Sequence, residues 1–137
     1  MREIKLRAWV KSDRTLLDVV EISWYSKNVR CVTGGMMICP ATGATQADFD
    51  FPLYEMDDII LMQYTGLKDK YGVEIYEGDI YETEYGNAVV AWNEIAARFE
   101  LFISKTQYWS MVVFKVNYYS KKGNIHENPE LLEEKDK

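Results

Sequence analysis

Short apolar runs that alternate with polar residues, each closed by a turn signal, constrain this chain more than any other feature. Ile4, Leu6, Ala8 and Val10 alternate with Lys5, Arg7 and Trp9, the period of two expected of a half-buried strand. Lys11-Ser12-Asp13-Arg14 turns the chain into a second run over 15–24, where the alternation is imperfect. Val29 to Thr33 and Met36 to Cys39 flank Gly34-Gly35, which reads as a two-residue hairpin turn. Pro40 to Ala47 is small and polar and reads as a loop. Phe49 to Asp58 reads as an approach segment, in which Pro52 bars a central strand position. Ile59 to Tyr64, Ile80 to Tyr85, Ala88 to Trp92, Arg98 to Ser104 and Trp109 to Tyr119 read as further strands. Their turns fall at 68–72, 77–79, 86–87 and 93–97.

Strands this short, with turns every eight to twelve residues, predict a mainly β fold. The form expected is a small, partly closed β-barrel with an N-terminal β-meander and a short C-terminal helix. The helix is read from Asn128-Pro129-Glu130-Leu131-Leu132: Asn128 can cap, Pro129 fits the first helical position, and Glu130 suits the positive end of the dipole. At 137 residues the chain suits one domain, with the meander over about 1–60, the barrel-like half over about 61–120, and helix and tail over 121–137.

Composition bounds the function. Apolar residues make up 47%, which marks a folded protein and not a disordered tail. No run of eighteen apolar residues occurs, so no membrane span is expected. The start, Met1-Arg2-Glu3-Ile4-Lys5, lacks the apolar core of a signal peptide, and the bacterial cytoplasm is the expected compartment. Cys31 and Cys39 match no common zinc spacing and are expected to be free thiols in a reducing compartment.

The net charge of −6 is uneven: residues 1–30 carry seven basic and four acidic side chains, and residues 46–100 carry three basic and thirteen acidic. An acidic middle argues against a broad phosphate-binding face. The basic N-terminal edge (Arg2, Lys5, Arg7, Lys11, Arg14) could meet an acidic partner, although a strand whose alternate residues face water explains it more cheaply.

The run Leu61-Met62-Gln63-Tyr64-Thr65-Gly66-Leu67, continuing through Asp69, Gly72, Glu77, Gly78 and Asp79 to Ile80, resembles the signature of the YopX-like proteins of phages and prophages. Ile4-Lys5-Leu6-Arg7-Ala8-Trp9 and the segment from Gly123 through Asn128 and Pro129 to Leu132 are similar to that family as well, so the resemblance spans both ends and the middle. The chain departs from the family at Leu6, where phenylalanine is more common, and at Val10, where aspartate is. Residues 11–58 match no family pattern. The resemblance implies a mostly-β fold and a phage or prophage origin, and it supplies no catalytic residue.

Each motif has a bland reading beside a functional one. Tyr64-Thr65-Gly66 and the corner after it could form a binding surface, but turn chemistry accounts for most of the residue types: glycines for special backbone angles, Asp69 and Asp79 for turn amides. Glu74, Glu77, Asp79, Glu82 and Glu84 could hold a divalent ion, yet they lack calcium-loop spacing and suit a solvated strand face. His126 is the lone histidine, so a histidine-based catalyst would have to use it, and a capping-region role is simpler. No phosphate-cradling glycine loop is present, since Met36-Met37 follows Gly34-Gly35. Trp92, Phe99, Phe102, Tyr108, Trp109, Phe114, Tyr118 and Tyr119 could stack bases, with Trp92, Tyr108, Trp109 and Tyr118 the candidates for binding. Core packing and a subunit interface suit them better in acidic surroundings.

These readings converge on a phage accessory protein without catalytic site, cofactor or metal. It is expected to self-associate as a homo-oligomer and to engage a host or phage protein. A nucleic-acid-binding barrel using the basic N-terminal strand is the alternative.

Overall fold

The computed structural model describes residues 3–38, 40–103, 108–110, 119 and 121–132, with backbone alone at 35–38, 46 and 108–110. Two compact units emerge, residues 5–61 and residues 1–4 with 62–137.

In the first unit the N-terminal alternation becomes β1 (Leu6–Val10), buried from Arg7 to Val10. It pairs antiparallel with β2 (Thr15–Ser23), with Ala8 opposite Leu17. β2 pairs with β3 (Asn28–Ile38) through a bulge between Val19 and Glu21, which explains the imperfect alternation of that run. β3 then carries two strands in succession on its far side. Its second half pairs with β4 (Thr45–Asp50) and its first half with β5 (Leu53–Glu55). Between them the edge is interrupted at Phe51-Pro52, and Pro52 O accepts from Cys31 N at 3.0 Å. A proline on an outer strand forfeits no ladder bond. One 3-10 turn, Met56–Asp58, leads into β6 (Ile59–Lys68), whose strand neighbour is β1. Ala8, Val10, Val29, Cys31 and Ile59 form the core here, with Leu17, Val19, Ile22, Tyr54, Met56 and Leu61 packed on them.

In the second unit the later part of β6 pairs with β7 (Glu74–Tyr76). A five-stranded antiparallel sheet follows, in the order β11-β10-β9-β8-β12. Its strands are β8 (Asp79–Thr83), β9 (Gly86–Asn93), β10 (Arg98–Phe102), β11 (Tyr108–Ser110) and β12 (Lys121–Asn124). Ile75, Tyr81, Ala88, Val90 and Leu101 are its buried centre, with Phe99, Ile103 and Tyr119 packed against it.

Four expectations are corrected. Among the described residues no barrel closes: the five-stranded sheet ends on β11 and β12, which do not pair with each other. Closure requires the outer strands to share a staggered ladder, and the ladder of β12 on β8 is broken by a register shift between Lys121 and Gly123. The C-terminal helix is replaced by a single 3-10 turn, Pro129–Leu132, and no α-helix occurs among the described residues. Asn128 Oδ1 turns back to accept from Asn124 N at 3.4 Å, and Leu131 O accepts from Asn87 Nδ2 at 2.8 Å.

Gly34-Gly35 is not a turn but lies inside β3, where Gly34 faces Phe49. Gly34 has φ +94°, and a Cβ on it would overlap Asp48 O, so the glycine serves a close strand approach. The β8–β9 turn lies at Glu84-Tyr85, two residues before Gly86-Asn87. Thr83 Oγ1 holds it, donating to Gly86 O at 2.7 Å and accepting from Tyr85 N at 3.2 Å.

Candidate functional site

The corner from Tyr64 to Asp79 is built from side chains that bond to their own backbone. Thr65 Oγ1 donates to Ile75 O at 2.8 Å and accepts from Leu67 N at 3.2 Å, while Gly66 takes φ +91°. Asp69 is buried, and its Oδ1 accepts from Tyr71 N at 2.8 Å and Val73 N at 2.9 Å. Its carbonyl accepts from Gly72 N at 3.0 Å, with Gly72 at φ +80°. Glu77 N donates to Gln63 O at 2.9 Å, and Glu77 Oε1 lies 3.5 Å from Gln63 N.

Gly78 is a crossing point. Its N–H donates to Val90 O at 2.7 Å and its carbonyl accepts from Ile125 N at 2.8 Å. At φ +89°, a Cβ there would sit 3.1 Å from Met62 Sδ. Asp79 is fully buried; it accepts from Tyr76 N at 2.8 Å and has Lys121 Nζ at 3.7 Å. The rings of Tyr64 and Tyr76 pack 5.5 Å apart. Near the chain's end Asn124 Oδ1 accepts from His126 N and Glu127 N at 2.9 Å, closing the turn that leads to Asn128 and the exposed Pro129.

The polar groups of this run are therefore engaged in shaping backbone. Glu82 pairs with Lys122 at 2.7 Å instead of joining its neighbours, and among the described residues no three His, Cys, Asp or Glu side chains gather as a metal site. Cys31 is a buried free thiol, pushed above its ordinary value by burial and then by the Asp18 charge. Cys39 lies outside the described residues. So do Tyr118 and the side chains of Tyr108 and Trp109, whose backbone forms β11. Trp92 is half exposed and meets Phe99 edge-on at 5.0 Å.

The basic N-terminal edge is largely committed within its own unit. Arg7 is buried, Lys11 Nζ donates to Asp57 O at 2.9 Å, and Arg14 lies 5.9 Å from the ring of the buried Trp9.

Two exposed patches are apolar. Phe49, Phe51 and Leu53 are 47%, 51% and 49% exposed along the outer edge formed by β4 and β5, with the exposed Asp48 and Asp50 among them. Sequence reasoning missed this edge, although apolar residues on both sides of a proline were a legible sign of it. A second apolar tip closes the β6–β7 hairpin, where Leu67, Val73 and the 71%-exposed Tyr71 stand beside exposed Lys68 and Lys70.

The model of the YopX protein family matches residues 5–133. The chain belongs to the YopX-like family of phage and prophage proteins. The crystal structure of protein EF1440 from Enterococcus faecalis is similar at 28% identity and a TM-score of 0.62, covering 97% of this chain and 100% of that one. The crystal structure of protein yopX from Bacillus subtilis shares the fold at 17% identity and a TM-score of 0.51, covering 99% and 100%. No curated protein matches. In this YopX-like chain the run that carries the family resemblance coincides with the self-bonded corner.

Proposed function

We propose that this YopX-like protein is a non-enzymatic protein-binding or assembly module, working in the cytoplasm of the bacterial host. One observation carries the reading: Phe49, Phe51 and Leu53 stand half exposed on an outer strand edge. Among the described residues no strand pairs with the outer side of β4 and β5; such an edge offers backbone N–H and C=O groups to another polypeptide, and apolar side chains beside it add affinity. Phosphate recognition needs clustered free cations, and the engagement of Arg7, Lys11 and Arg14 leaves few on the N-terminal strand.

Affinity capture with the full chain as bait tests this, comparing the parent with Phe49→Ser/Phe51→Ser. The expected result is a protein, either this chain or another, held by the parent and lost by the variant. Capture that the double substitution leaves unchanged would overturn the role of this edge.

A further inference from the structure

Two exposed patches of this chain match each other in chemistry. The β4–β5 edge presents Phe49, Phe51 and Leu53 with the carboxylates Asp48 and Asp50. The β6–β7 tip presents Leu67, Tyr71 and Val73 with the ammonium groups of Lys68 and Lys70, the latter 5.1 Å from the Tyr71 ring. Residues 46–100 hold only three basic side chains, and two of them stand on this one tip. Of the nearby acids, Asp69 is turned inward onto turn amides, and Glu74, opposite Lys68, is half buried. The outward charge at the tip is thus positive, while at the edge Asp48 and Asp50 outnumber the single Arg30, whose guanidinium donates to Phe51 O at 2.7 Å. Pairing one edge with another edge would set Asp48 and Asp50 against their own kind, which disfavours it.

We propose that the β4–β5 edge of one copy receives the β6–β7 hairpin tip of a second copy, an apolar contact whose register is set by Lys68 and Lys70 against Asp48 and Asp50. The inference rests on the assembly-module reading and names this chain as the partner. The contact joins two different patches, so it is heterologous.

The test is a charge exchange on the full chain, read as mass by sedimentation and light scattering. The parent should exceed monomer mass at micromolar concentration and lose that excess as salt rises, since exposed charge pairs are screened. Asp48→Lys/Asp50→Lys alone and Lys68→Glu/Lys70→Glu alone should each be monomers, and an equimolar mixture of the two should associate again. A monomeric parent, a mass indifferent to salt, either reversed pair behaving as the parent, or a mixture that stays monomeric would overturn the proposal. Unaffected Lys68→Glu/Lys70→Glu with dissociated Asp48→Lys/Asp50→Lys would point to edge-to-edge pairing instead, which also overturns it. A parent that is monomeric yet captures a different protein through Phe49 and Phe51 would sink this inference and leave the module reading standing.

Discussion

At residue scale the corner around Gly78 and Asp79 shows why the central run has its composition. A positive φ of +89° and Met62 Sδ at 3.1 Å from the Cβ position make glycine a backbone requirement at Gly78. Gly78→Val is expected to cost about 1–3 kcal/mol, read as a shifted midpoint in denaturant. A parent-like midpoint would refute the strain argument. Its neighbour Asp79 is fully buried and holds Tyr76 N at 2.8 Å. Asp79→Ala leaves that buried amide unmatched and should cost about 1–3 kcal/mol. Should Asp79→Ala match the parent in denaturant, the amide must find another acceptor.

At element scale, local signals were legible where the turn is made by its own residues. Asp69 and Gly72 shape the β6–β7 turn, and Asn93 Oδ1 closes the β9–β10 turn by accepting from Ile95 N at 3.0 Å and Ala96 N at 3.2 Å. Local signals misled where a distant strand decided. Gly34-Gly35 has hairpin chemistry, but pairing with Phe49 and Asp48 keeps it in β3. Asn128-Pro129 has helix-start chemistry, but Asn124 takes the Asn128 side chain. Barrel closure was never a local property, and nothing in Lys121 to Asn124 declares that its strand ends at Asn124. The β3 case is testable. Gly34→Ala puts a methyl into Asp48 O at φ +94°, and should raise hydrogen exchange along β4 while sparing β8 and β9. Unchanged protection over 45–50 would mean that β4 does not depend on this approach.

At the scale of the whole molecule, three weakly acidic groups, the buried Cys31 and the partly buried Tyr54 and Tyr119, link stability to alkaline pH. Burial raises Cys31 above its ordinary 9.0, with Asp18 adding to it. Burial likewise raises Tyr54 and Tyr119 above their ordinary 10.0, Asp13 and Glu84 being the leading charges in the two cases. Each is neutral in the fold while the unfolded chain ionises first. The stabilisation is therefore full below pH 9.0 and is lost as pH rises through the raised folded values. Denaturation midpoints should hold steady near pH 8 and fall towards about pH 11. A midpoint that climbs over that range would contradict the sign. Thiol reagent should reach Cys31 slowly in the native protein and quickly in denaturant, because reaction needs exposed thiolate.

The inward-facing acids of the Tyr64–Asp79 corner have a consequence for reasoning by kinship. A stretch whose Asp69 and Asp79 answer to their own backbone is a recipe for a shape, and lineages can inherit it while changing allegiance. Phe49, Phe51 and Leu53 lie within the span 5–133 that the family model matches, but outside the sequence motifs that carry the resemblance. A shared run from Leu61 to Ile80 therefore speaks for a shared backbone path, and the proposed binding role rests on β4 and β5 instead.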